Sequence, residues 1–170
     1  MALNLFKIET AEVASNASSV TFSDIPQGYT DLVLKFSTRD TDAGTASHFG
    51  FTFNGDTSSN YTSRFMRSDG NGSVLSFSQT HGFIVASYQS AAGSTANTFG
   101  SGEMYIPNYR SSTQKSLSLE SMSETNAALA YMNITAGLWT GTSAITSITA
   151  KQTIGGPFVA NSTFTLYGIL

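Results

Sequence analysis

The sequence predicts an all-β protein in which two sheets pack face to face as a sandwich. Three observations carry that prediction. Apolar and polar residues alternate with period two through most of the 170 residues, the pattern of strands with one buried and one wet face. Clusters of Gly, Asn, Asp and Pro break the alternation roughly every 8 to 15 residues, the spacing of short strands joined by turns. Helix is nearly absent from the pattern: its best candidate is Glu124 to Tyr131, with Ala127, Ala128 and Ala130, and the Tyr-Met-Asn-Ile-Thr run that overlaps its end still reads as strand.

Taken in order, strands are expected over 4–10 and 19–23, followed by the Pro26-Gln27-Gly28 turn. Leu32, Leu34 and Phe36 alternate with Val33, Lys35 and Ser37 over 31–38. Asp42-Ala43-Gly44 leads into 48–54, where Phe49, Phe51 and Phe53 share a face, and Asn54-Gly55-Asp56 ends that strand. Segments 63–67 and 73–78 flank Asp69-Gly70-Asn71-Gly72, and 81–88 follows. Ala92-Gly93-Ser94 precedes 98–106. Leu117 and Leu119 mark 115–122, and Met132 and Ile134 mark 129–136, each pair read as the buried row. Thr140-Gly141-Thr142 precedes 144–151, and Gly155-Gly156-Pro157 precedes 162–170, with Phe164 and Leu166 inward. Mergers among these segments bring the count to nine or ten. No linker or fixed-period repeat divides the chain, so one domain over 1–170 is expected. At this length a jelly-roll-like two-sheet β-sandwich of about eight to ten strands leads. An immunoglobulin-type sandwich, usually nearer ~100 residues, comes second.

Composition narrows the function classes. Charged residues are 11% of the chain, against roughly 25% in ordinary domains. In their place stand 26 Ser and 22 Thr, which suit the wet face of a pleated strand. A net charge of −3 with no basic cluster argues against nucleic-acid binding. No segment approaches the ~18 apolar residues of a membrane span, and Met1 to Lys7 lacks the pattern of a signal peptide. Sequons at Asn16, Asn60, Asn71, Asn133 and Asn161 follow from the Ser and Thr content. Without cysteine, disulfides, thiolate metal sites and cysteine nucleophiles drop out together.

Residues that could carry chemistry are few. His48 and His81 stand outside any metal-ligand spacing and read as strand-end or loop histidines. Asp40-Thr41-Asp42-Ala43-Gly44 starts like a calcium loop, but its twelfth position is Phe51 where a bidentate Glu is needed. A turn is the plainer reading, with a weak cation site as the alternative. Glu103, inside a predicted strand, is either a solvent-facing or paired charge or one half of a glycosidase pair. Neither a nucleophile elbow nor a phosphate or dinucleotide loop is present. No enzyme activity, cofactor or metal is therefore expected. Tyr29, Tyr61, Tyr88, Tyr109 and Trp139 fall at strand ends or in loops. Of these, Tyr29, Tyr61, Tyr109 and Trp139 are the candidates for a partner-contact surface, because such rings combine apolar area with a polar tip. The alternative is that each closes an end of the sandwich and bonds a loop carbonyl.

Several segments carry a family resemblance: Ile25-Pro26-Gln27-Gly28-Tyr29-Thr30-Asp31-Leu32-Val33-Leu34, Phe53-Asn54-Gly55-Asp56, Ser59-Asn60-Tyr61, Ile106-Pro107-Asn108-Tyr109, Lys115-Ser116, Leu138-Trp139, Ile145-Thr146-Ser147-Ile148, and Ser162-Thr163-Phe164-Thr165-Leu166-Tyr167-Gly168-Ile169. In this order they resemble small β-rich virion proteins of tailed bacteriophages, over about 20–170. The resemblance implies a virion structural protein, a homotrimer whose partners are the major capsid protein and itself. It implies the role of capsid decoration (cement) protein on the capsid exterior, made in the host cytoplasm. A tail-fibre or receptor-binding module that meets a host surface glycan is the alternative it also implies. The stand-alone length without heptads or a shaft tilts the expectation to decoration. A small glycan-active enzyme built on Glu103 is a third, weaker reading.

Overall fold

The computed structural model describes residues 4–86, 88–126 and 130–170. Among the described residues, period-two alternation becomes thirteen strands: β1 Leu5–Glu12, β2 Ser19–Phe22, β3 Asp31–Thr38, β4 Ala46–Phe53, β5 Tyr61–Ser68, β6 Val74–His81, β7 Ile84–Val85, β8 Gln89–Ser90, β9 Gly100–Ile106, β10 Lys115–Ser123, β11 Tyr131–Trp139, β12 Ile148–Ile154 and β13 Thr163–Ile169. Ten of them have seven residues or more; β2, β7 and β8, with four or fewer, account for the number above the expected nine or ten. The described residues contain no helix. Glu124 to Asn126 and Ala130 are irregular and Tyr131 opens β11, while the rest of the expected helix, 127–129, lies outside the described residues.

The strands form two antiparallel sheets. The larger runs β1-β13-β3-β9-β10-β11-β5-β6 and the smaller β2-β12-β4-β7, with β8 paired to the start of β4. Leu32, Leu34, Met104, Ile106, Leu117, Leu119, Phe164 and Leu166 line the inner face of the large sheet. Phe22, Phe49, Phe51, Phe53, Ile148 and Ala150 oppose them from the small one. Phe49 is the hub of this core. Its ring meets Phe36 at 5.2 Å and 89° and Phe158 at 5.5 Å and 81°. These are edge-to-face contacts worth about 0.5–1.5 kcal/mol each beyond area burial.

Strand order determines which side chains meet. Lys35 on β3 lies opposite Glu103 on β9, and Glu103 lies opposite Glu120 on β10. Glu120 in turn faces Ile134 on β11, which faces Met66 on β5. This row crosses the outer face of the large sheet from charge to hydrocarbon.

Candidate functional site

Three of the four ring residues expected at a partner surface are core residues. Tyr61 and Tyr109 have no exposed surface and Trp139 has 3%, so their side chains have almost nothing to offer a partner. They close the ends of the sandwich, because each carries a polar tip that a loop can satisfy. The Tyr109 hydroxyl donates to the Pro26 carbonyl. The Tyr61 hydroxyl donates to the Asp56 carbonyl at 3.0 Å and accepts the Phe53 N–H at 3.0 Å. Burial pushes the Tyr61 phenol up to about 12. Trp139 donates its indole N–H to Asp56 Oδ2 at 2.8 Å. Asp56 also accepts from Asn60 Nδ2 and the Ser58 N–H. The Trp139 bond, helped by Asn60, holds the Asp56 carboxyl down at about 2. Lys115, buried, completes this end by donating to the carbonyls of Ser111, Thr113 and Ser143. Tyr29 is half-buried: its ring lies on Gly168, where an added Cβ would come within 2.2 Å, and stacks on Phe6 at 6.0 Å.

The two histidines do share a site, which their separation in sequence hid. His48, Phe65, Arg67, Phe77, Gln79, His81, Phe83 and Thr153 line a cleft of about 320 Å³. It opens where β5 and β6 of the large sheet meet β4, β7 and β12 of the small one. Gly50 on β4 makes room for one wall, since a Cβ there would sit 2.4 Å from the Phe83 ring. Phe83 stacks on His81 at 4.9 Å and 3°, and Phe65 stacks on Phe77 at 5.0 Å. His81 Nε2 lies 3.1 Å from Gln79 Oε1. The Arg67 guanidinium sits 5.1 Å from the ring centres of both Phe77 and Tyr88. Burial, then the Arg67 charge, hold His48 below the usual imidazole range, so its ring is neutral at pH 7. Tyr88 adopts a left-handed φ of 63°, which costs an aromatic residue about 1–2 kcal/mol. Its stack on Tyr131 at 4.2 Å and its tilted contact with the His48 ring at 4.6 Å hold it there. The cleft presents aromatic rings, the Arg67 guanidinium and the hydrogen-bonding groups of Gln79, His81 and Thr153, and Lys151 Nζ lies 5.5 Å from the centre of the Phe83 ring.

The other candidates have structural partners. Asp40 is buried and accepts from the Ser47 hydroxyl, from Gln89 Nε2 at 3.2 Å and from the Asp42 N–H at 3.1 Å. Burial raises its carboxyl above the usual range. Asp42 Oδ1 accepts the Gly44 N–H at 2.8 Å, an Asx turn. No group of three metal-binding side chains occurs among the described residues. Glu103 pairs with Lys35 at 3.1 Å on the outer face.

Sequence reasoning missed a patch where β5, β10 and β11 run side by side. Met132 and Ile134, expected inward, point out at 53% and 54% exposure, while Asn133 and Thr135 between and beside them are buried. Met66, opposite Ile134, and Met122, opposite Met132, are 54% and 41% exposed. Beneath them Ser121 and Ser123 face the interior. The alternation is present, but its phase is inverted: hydrocarbon out, hydroxyl and amide in. The inversion costs stability, because the Asn133 side-chain oxygen Oδ1 meets no protein donor in the interior. Phase is set at the far ends of the strands, where Leu117, Leu119, Gly137 and Trp139 must face the core. Alternation alone does not contain that information. The four exposed side chains present on the order of 400 Å² of contiguous apolar surface, the size at which such patches serve interactions.

Comparison with protein-family models, curated proteins and solved structures finds no match to this chain.

Proposed function

We propose that this chain is a structural subunit of a tailed-phage virion, a capsid decoration protein that grips the major capsid protein through the outer face of its large sheet. One observation carries the proposal. The Met66, Met122, Met132 and Ile134 patch is turned outward at the expense of buried Asn133, Ser121 and Ser123. A fold that served only its own stability would place those residues the other way. Its flank on the same face holds Ser76 and Ser118 together with Glu120, opposite Ile134, and Arg64, two residues from Met66, so a partner would meet hydroxyls and charges around a hydrocarbon centre. The resemblance of the Ile25–Leu34 and Ser162–Ile169 segments to phage virion proteins supplies the assembly. Methionine suits such a contact because its flexible thioether adapts to an uneven partner. The test is immunogold labelling of particles together with a Met66→Glu/Ile134→Glu variant. Label on the head, and loss of the variant from purified heads while it stays folded, are the expected results. Label confined to the tail, or undiminished head occupancy by the variant, refutes the proposal.

The cleft favours a second reading, a tail-located receptor module that binds a surface glycan. Phe77, 36% exposed, and the Phe83–His81 stack give the cleft apolar ring surface for a sugar, with Arg67 and Gln79 beside it to bond hydroxyls. Glycan-array binding that is lost in Phe77→Ala supports this reading, and an array without signal overturns it.

A further inference from the structure

An open sheet ends in strands whose outer backbone groups are unpaired, and such edges invite another strand unless they are guarded. Among the described residues, three of the four sheet edges are guarded. β1 carries Lys7, Glu9 and Glu12, and its pairing with β13 is broken by a bulge between Lys7 and Glu9. β2 has four residues and β7 only two, too short to template a partner. The fourth edge is β6, and it has none of these defences. Its eight residues, Val-Leu-Ser-Phe-Ser-Gln-Thr-His, include no Lys, Arg, Asp, Glu, Pro or Gly. They pair with β5 without interruption from Ser68 opposite Val74 to Tyr61 opposite His81. Leu75 and Phe77, which share the inward face with Gln79 and His81, are left 44% and 36% exposed.

We propose that β6 is the self-association edge of this protein, pairing antiparallel with β6 of a second copy about a two-fold axis. Identical edges related by a two-fold axis are necessarily antiparallel, and the contact closes on itself. With Phe77 at the axis, Leu75 of one copy faces Gln79 of the other on the inner side. Ser76 then faces Ser78, and Val74 faces Thr80, on the outer side. No charge is buried and no like charges oppose. The occupant is a second copy because the edge is its own complement: it bears no charge pattern for a foreign strand to match. The two large sheets become one sheet of sixteen strands, with both Met66–Ile134 patches on the same surface. This contact is two-fold, separate from the trimer implied by the resemblance, and it does not depend on what the outer face grips.

The experiment is sedimentation of the full chain over a wide dilution series, beside a Ser76→Lys/Ser78→Lys variant. Both serines are exposed, so the variant should fold, and its thermal unfolding checks that it does. The expected result is a dimer that dissociates on dilution, with association weakened about tenfold or more by the lysines. Ser76→Thr/Ser78→Thr should restore the dimer. Hydrogen exchange should find alternate β6 amides protected only at high concentration, the signature of an added strand. A monomer throughout, or an oligomer whose mass the lysines leave unchanged, overturns the proposal, as does β6 exchange independent of concentration.

Discussion

Replacing Asp56 with alanine tests the account of how the Trp139 end of the sandwich is held. The substitution takes the acceptor from the Trp139 indole N–H, now bonded at 2.8 Å, and from Asn60 and Ser58, at 3.0 and 2.9 Å. Trp139 is buried, so its N–H would be left dry and unpaired at a cost of about 1–3 kcal/mol. The two exposed bonds add about 0.5 kcal/mol each, giving a loss of about 2–4 kcal/mol in all. Urea unfolding at fixed protein concentration measures it. The emission of the single tryptophan reports on the affected site. The midpoint should fall with the slope unchanged. The loss should also depend on pH in a set direction. The Asp56 carboxyl sits at about 2 in the folded chain against 3.8 when free. A depressed carboxyl stabilises fully above its free value and loses that contribution as pH falls toward its folded one. The difference between parent and variant should therefore be constant above about pH 5 and shrink between pH 4 and 2. Asp40, whose carboxyl is raised by burial, acts with the opposite sign, but it is common to both proteins and cancels. A loss below about 0.5 kcal/mol at pH 7, typical of a neutral surface change, would refute the reasoning, as would a difference that does not change in acid.

Three further substitutions probe other parts of the fold. Phe49→Ala empties the hub of the aromatic core and should cost about 3–5 kcal/mol in the same unfolding assay. Gly50→Ala places a Cβ 2.4 Å from the Phe83 ring and 2.8 Å from the Ile84 carbonyl. It should cost about 1–3 kcal/mol and shift the His81 ring resonances as the Phe83 stack is displaced. Lys115→Met keeps the volume but leaves three loop carbonyls without their donor, and should lower stability by about 1.5–3 kcal/mol.

Asp31–Thr38 shows what the sequence made legible. Its bounds emerge as expected because Pro26-Gln27-Gly28 precedes it and Leu32, Leu34 and Phe36 drive it into the core. Phe49, Phe51 and Phe53 likewise face inward as read. Met132 and Ile134 show the limit: alternation names two faces without saying which is inner, and that choice is made by β5 and β10 on either side. Tyr61, Tyr109 and Trp139 were visible as end-of-strand rings, but whether such a ring points out or folds over the core depends on a distant acceptor. For Trp139 that acceptor is Asp56, 83 residues away. The cleft was hidden for the same reason. His48 and His81 belong to different sheets, and the wall between them depends on the absence of a side chain at Gly50.

The buried Asn133 and Thr135 also have a kinetic consequence. Sliding β11 by one residue against its neighbours would bury Met132 and Ile134 and return the amide and hydroxyl to water. Over that half of the strand the slipped alignment gains hydrophobic burial; over the other half it expels Trp139 and the close Gly137 contact with Leu117 and Ile84. The strand therefore carries two competing preferences, a local frustration within an otherwise consistent fold. Off-register collapse around β11 is the trap a refolding chain must escape. Covering the patch would remove the reward for slipping.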